Sequence, residues 1–200
     1  MPKSKSAKPV SFFVKLLISA SLIFLSNFGL PQTSKAQEQP QKIDHGKVDT
    51  CSIEFSQKKD KIIAKVNISN DQVLAGAAIP LKYGNGKEPL QVDSVSFAKT
   101  RTEGFAWKHA RTNDSVMVND SLQAVLISLI ANLGGAQPPM EKGKGAVANI
   151  YFTLKTNKPY EVQIDTTHLP PNNTLMFVDS EAQVVPLAFK KGSFKANGKK

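Results

Sequence analysis

The stretch SLQAVLISLIANLGG, Ser121 to Gly135, constrains the fold more than any other part of the chain, because it fits two structures and only one suits its surroundings. Leu122, Val125, Leu126, Leu129, Ile130 and Leu133 recur at helical spacing, whereas the unbroken apolar run from Ala124 to Ile127 suits a strand buried on both faces. Val125, Ile127 and Ile130 are β-branched, which a helix tolerates less well than a strand does. A lone helix among strands would also pack poorly in an all-β domain. The reading is therefore a central strand over Ala124 to Ala131, covered on both sides.

The surroundings carry the pattern of short strands. In KIIAKVNIS, Ile62, Ala64, Val66 and Ile68 alternate with more polar partners, as one buried face requires. In GKGAVANIYFTLK, Ala146, Ala148, Ile150, Phe152 and Leu154 share one side. Cys51, Ile53 and Phe55 alternate likewise and place the single cysteine in a strand's buried face. Further strands are expected in LAGAAIPLKYGNG and PLQVDSVSF, near Phe105 to His109 and Ser115 to Val118, and in YEVQID, TLMFVD, QVVPLAF and GSF. Pro80 lacks an N–H, so its nitrogen should face solvent or a bulge. Gly, Pro, Asn and Asp turns between about nine such strands predict an all-β, two-sheet sandwich, with a barrel as the lesser alternative.

Residues 1–36 stand apart from this domain. Lys3, Lys5, Lys8 and Lys15 precede the apolar run from Leu16 to Leu30, and Ser34-Lys35-Ala36 forms a small-x-small site, the three parts of an export signal cleaved after Ala36. The apolar run contains Ser and Asn and is shorter than the roughly 20 residues a spanning helix needs. Residues 37–46 are polar and read as a disordered lead, 47–196 as the sandwich, and 197–200 as a basic tail. A secreted or periplasmic protein with no membrane attachment after cleavage is expected.

The net charge of +10 would suggest a nucleic-acid partner, but its distribution does not. All 16 acidic residues lie between Gln37 and Phe189, while Lys3, Lys5, Lys8, Lys15 and Lys35 precede that span and Lys190, Lys191, Lys195, Lys199 and Lys200 follow it. The folded part is thus balanced in charge, and no nucleic-acid partner is expected.

Chemistry-bearing patterns are sparse. His45, His109 and His168 are far apart in sequence, and the lone cysteine has no partner for a zinc site. No nucleophile elbow, phosphate-cradling loop or dinucleotide fingerprint occurs. The reading is therefore a protein that is no enzyme, with no cofactor and no assigned metal ligands; the loop carboxylates Asp114, Asp120 and Glu141 read as solvated, with a calcium ion at such loops left as an open alternative. Trp107, in GFAWKHAR, is assigned with Phe105 to the core side of a strand, leaving Lys108 outside; the alternative makes Trp107 an exposed sugar platform or partner anchor.

Taken in order, several segments resemble a cohesin domain, the jelly-roll sandwich that receives dockerin modules in cellulosome scaffolds. CSIEFSQKKDKIIAKVNIS is similar to the family's opening strand pair, and LAGAAIPLKYGNGKEPLQVDSVSF to its apolar strand ending in Tyr, a turn and the next strand. QAVLISLIAN is similar to its central strand, GKGAVANIYFTLK to its most specific glycine-led strand, and VPLAFKKGSF to its closing strand. The resemblance covers Val48 to about Ala196. It implies a jelly roll and a binding function, in an extracellular assembly linked to polysaccharide degradation. It also implies contacts on one sheet face, on the third strand and just after the sixth. By position these fall at Gly76, Ala78, Asn132 and Leu133. Gly76 and Ala78 offer no side-chain hydrogen bond where the family uses polar groups, so the implied protein partner is more apolar than an ordinary dockerin. A carbohydrate-binding module of the same architecture, using Trp107 on polysaccharide, is the alternative.

Overall fold

The computed structural model describes residues 46–112, 122–132 and 138–198. These fall within one compact unit, Lys42–Lys200. The expected export signal, most of the polar lead and the strand expected at Ser115 to Val118 lie outside the described residues.

Every regular element among the described residues is a strand. The first sheet contains β1 (Asp49–Lys58), β2 (Lys61–Asn70), β4 (Leu90–Ser96), β7 (Gly143–Leu154) and β11 (Leu187–Lys190), in the order β11-β1-β2-β7-β4. The second is seven-stranded. It contains β3 (Gly76–Gly84), β5 (Trp107–Arg111), β6 (Gln123–Ile130), β8 (Tyr160–Thr166), β9 (Met176–Val178), β10 (Val184–Val185) and β12 (Gly192–Ala196). Its spine runs β10-β9-β3-β6-β5, and β8 joins β12 to β3. Pairing is antiparallel except between β1 and β11.

The alternation read from the sequence fills the space between the sheets. Ile62, Ala64, Val66 and Ile68 of β2 are all fully buried, as are Val125 and Ile127 of β6 and Phe152 and Leu154 of β7. Tyr83 meets Phe152 edge to face, with ring centroids 5.0 Å apart. Such a pair adds about 0.5–1.5 kcal/mol beyond burial alone. Cys51 is buried, and desolvation pushes its thiol up to about 12. It packs as a small apolar side chain.

Two details of the strand reading change. The closing segment, read as one strand through QVVPLAF, divides at Pro186: β10 lies in the second sheet and β11 in the first. The chain crosses back at Gly192, where an added Cβ would come within 2.7 Å of Ile53 Cβ and 2.8 Å of Phe55 Cε2. Glycine is thus what lets this crossing lie flat on β1. Alternation cannot reveal these crossings; the described residues form 12 strands in all. Pro80 is buried rather than facing solvent. Its carbonyl accepts from Thr167 N–H at 3.1 Å. It therefore faces the gap between the pairings of β3 with β9, at Gly76–Ala78, and with β8, at Leu81 and Lys82. In that gap no ladder bond needs its missing N–H.

Candidate functional site

The central strand β6 has two faces with different fates. Val125, Ile127 and Leu129 point between the sheets into the main core. On the opposite face Ala124 and Leu126 are roofed by Leu169, with Leu122 beside them. Leu169 is fixed there by a short bridge to Asn173, whose side-chain Nδ2 also donates to Pro170 O at 2.9 Å. The roof stops at that point. Ser128 is half-buried and Ile130 is 40% exposed. The expectation of cover on both sides therefore holds for the first half of the strand and fails for its end.

The register carries this uncovered end across the whole sheet. Val184 pairs with Val178, Val178 with Gly76, Gly76 with Ile130 and Ile130 with Trp107. Direct cross-strand partners project to the same face, so these residues form one row from β10 to β5. A second row runs Met176, Ala78, Ser128, His109. Val184, Trp107 and Met176 are 60%, 46% and 36% exposed. The result is a continuous, mostly apolar stripe on the outer face of the second sheet. Its middle is a shallow depression of about 610 Å³ with Gly76, Ala78, Ile130 and Asn132 in its lining.

Local geometry explains the small residues. An added Cβ on Gly76 would stand 3.0 Å from both Leu129 O and Val178 Cγ2, so glycine lets β9 and β6 close around β3. Asn132 is held beside this strand by its neighbour: Ala131 N–H donates to Ala75 O at 2.8 Å, and Ala131 O accepts from Ala106 N–H at 3.0 Å. Gly76, Ala78 and Asn132, chosen from the sequence, thus line one surface. Leu133, chosen with them, lies outside the described residues.

Trp107 requires a correction. It does not share the core side with Phe105; Phe105 is buried and Trp107 faces solvent on the stripe. The alternation fails because Phe105 belongs to a turn, its N–H donating to Thr102 O at 3.0 Å, and the chain bends at Ala106 before β5 begins. Lys108, on the opposite face of β5, turns back to donate from Nζ to Phe105 O at 2.8 Å. The Trp107 ring lies 5.8 Å from that of His109. The sequence reading missed Ile130, Met176, Val178 and Val184 as surface residues. Ser128 was the available signal: a hydroxyl in the outward series Ala124, Leu126, Ser128, Ile130 marks where cover ends.

His109 stands across from Ser128, but among the described residues it hydrogen-bonds neither that hydroxyl nor a carboxylate, as an activated nucleophile would require. Among the same residues, no group of three or more His, Cys, Asp or Glu side chains is placed to hold a metal ion. Charge sits at the ends of the stripe: Asp179 in the β9–β10 turn and Arg111 on β5.

No protein-family model and no curated protein sequence matches the chain. Solved structures do match in fold. The third cohesin ScaC of Acetivibrio cellulolyticus, solved in complex with the ScaB dockerin, superimposes with a TM-score of 0.57 at 11% identity, over 76% of this chain and 100% of that one. The sixth cohesin of scaffoldin B from the same organism, in complex with a mutant Cel5 dockerin, gives 0.55 at 14% identity over 74% and 97%. The non-cellulosomal cohesin of the archaeon Archaeoglobus fulgidus gives 0.50 at 14% identity over 74% and 91%. The chain therefore has a cohesin-like fold, a jelly-roll sandwich, as its strand order in sequence suggested.

Proposed function

We propose that this chain is an exported, non-catalytic docking module that binds a protein partner through the outer face of its second sheet. The observation that carries the reading is the stripe Val184–Val178–Gly76–Ile130–Trp107, apolar along one outer face and exposed at Val184, Ile130 and Trp107. Contiguous exposed apolar surface of this kind characterises interaction sites. The cohesin-like fold supports the reading, because neighbours in fold are solved with dockerins bound. The stripe offers the partner apolar burial at its centre and charged groups at its rim, the usual anatomy of an interface. Around Gly76, Ala78 and Asn132 the surface offers few hydrogen bonds, so the partner should present an apolar face rather than the polar one an ordinary dockerin would bring. Placement in an extracellular assembly linked to polysaccharide breakdown is part of the same proposal. The test is to immobilise the protein, identify what it captures from the producer's culture fluid, and repeat the capture with Ala78→Asp and Ile130→Asp. Loss of the captured protein in both variants supports the surface; undiminished capture rejects it.

A second reading has its own observation. Trp107 is exposed beside His109 on a flat sheet face, as a sugar-stacking platform would be. A carbohydrate-binding module would be retained on an insoluble polysaccharide and would lose that retention in Trp107→Ala. Absence of retention across a glycan panel removes this reading and leaves the first in place.

A further inference from the structure

Away from the apolar stripe, one place in the sandwich buries charged oxygens without partners. Asp49 opens β1 with only 2% of its surface exposed, and Asp71 stands in the turn after β2. The two are joined: Asp71 N–H donates to Asp49 Oδ1 at 3.1 Å, and Asp71 Oδ2 accepts from Lys47 N–H at 2.6 Å. Their remaining oxygens, Asp49 Oδ2 and Asp71 Oδ1, are buried with no hydrogen-bond partner, and so is Gln72 Nε2. The Gln72 amide approaches Asp49 without completing a hydrogen bond to Oδ2.

Two adjacent carboxylates with buried, unpaired oxygens are costly, since each loses water and repels the other. The cost is relieved by a proton held between them or by a cation. Among the described residues no ion pair reaches either carboxylate. Arg101, which bonds the neighbouring Asn70 side chain, is committed elsewhere: it donates to Ile68 O at 3.2 Å, Asn70 Oδ1 at 2.8 Å, Gly143 O at 3.1 Å and also Glu141 O. The donor set is all hard oxygen once the Gln72 amide is turned over, which exchanges its nitrogen for its carbonyl oxygen. Such a set, with neither thiolate nor imidazole, suits calcium rather than zinc. Magnesium would demand a stricter octahedron and release its water reluctantly.

We propose that Asp49, Asp71 and the Gln72 side chain form a calcium site, completed by water, that staples the start of β1 to the turn after β2. Its affinity belongs to the range of extracellular calcium modules, on the order of 10⁻⁴ to 10⁻³ M. The site is independent of the docking reading, because it lies on residues outside the stripe and is read by stability rather than capture.

The test compares thermal unfolding of the purified protein in a chelator and in about 10 mM calcium chloride at matched ionic strength, with calorimetric titration of the same sample. The expected result is a Tm rise on the order of 5 °C with calcium, a smaller one with magnesium, and a measurable binding heat. Asp49→Asn and Asp71→Asn should each keep the β-sheet circular dichroism and lose the calcium response. Should Asp49→Asn fail to fold, Asp71→Asn and the titration of the unaltered protein decide the matter. A wild-type Tm indifferent to calcium, with no binding heat, overturns the proposal in favour of a shared proton. A calcium response that survives in Asp71→Asn overturns it as well.

Discussion

The two sheets of this sandwich share a core but turn opposite kinds of surface outward. On the first sheet one outer row runs Glu54, Lys65, Asn149, Ser96, pairing opposite charges across β1 and β2. Nearby, Lys61 Nζ contacts Asp93 Oδ2 at 2.9 Å and Thr153 Oγ1 at 2.6 Å, knitting the polar face together. On the second sheet the equivalent rows are Val184 to Trp107 and Met176 to His109, with little polar content. Both faces belong to hydrogen-bonded sheets, so strand formation does not explain the contrast. What differs is cover. The first face sets half-buried Ile63 and Tyr151 among lysines, Asp93 and Ser94, whereas the second is roofed by Leu169 over half of β6 and leaves large apolar side chains open over the rest. An unfinished face on an otherwise finished domain is the physical basis for reading it as a docking surface.

Five substitutions would break or sharpen this contrast. The largest effect should come from the shared core: Phe152→Ala, which removes a fully buried ring, should cost about 3–5 kcal/mol of stability in urea unfolding. If it costs no more than an outward substitution, the two faces are not backed by one common core. Next in size, Ile130→Asp on the open face should weaken capture of the partner by at least about 30-fold, in line with a central interface anchor worth about 2 kcal/mol. Its counterpart Ile63→Asp, on the polar face, should leave capture unchanged. Equal losses from both would erase the distinction between the faces.

Trp107→Ala, at the edge of the stripe, should weaken capture less, by about 5-fold, since rim positions contribute less than central ones. A loss exceeding that of Ile130→Asp would move the centre of the surface toward β5 and favour the sugar reading. The smallest effect belongs to the polar face. Burial raises the Asp93 carboxyl, but hydrogen bonds from Thr153 and Lys61 and the nearby lysine charges outweigh it, so its pKa lies below the usual carboxylate range. A depressed folded-state pKa gives stability that is present above the unfolded value and lost as pH falls through the folded one. Comparing wild type with Asp93→Asn should therefore show a difference below about 1 kcal/mol at pH 6 that vanishes at strongly acidic pH. A difference that grows on acidification would contradict the assigned network.

Much of the frame was legible in the chain because sheet periodicity is local. Ile62 to Ile68 and Ala148 to Leu154 announce which side is buried, whereas Ala146, expected with them, is not in the core, because a register shift against Val66 and Asn67 breaks the alternation and buries Val147 instead; the β-branched run in Ala124–Ala131 announces a strand where helical spacing was also available. What could not be read depends on segments distant in sequence. Trp107 faces outward because the turn at Thr102–Phe105 and the bend at Ala106 reset the alternation, which hydrophobicity does not record. Pro186 and Gly192 switch the closing strands between sheets, and nothing in the local pattern says which sheet receives them. The open end of β6 is set by where the Leu169 segment stops, some 40 residues downstream of the strand it covers. Gly76, Ala78 and Asn132 were found by position in a resemblance, whereas Ile130, Met176, Val178 and Val184 needed the register.

The most direct measurement is methyl-resonance NMR of the isotope-labelled protein, free and with its captured partner bound. Docking on the open face should shift the methyl signals of Ala78, Ile130, Met176, Val178 and Val184 and leave that of Ile63 in place. A complex in which Ile63 shifts and the stripe's methyls do not would contradict the assignment of the second sheet's outer face as the docking surface.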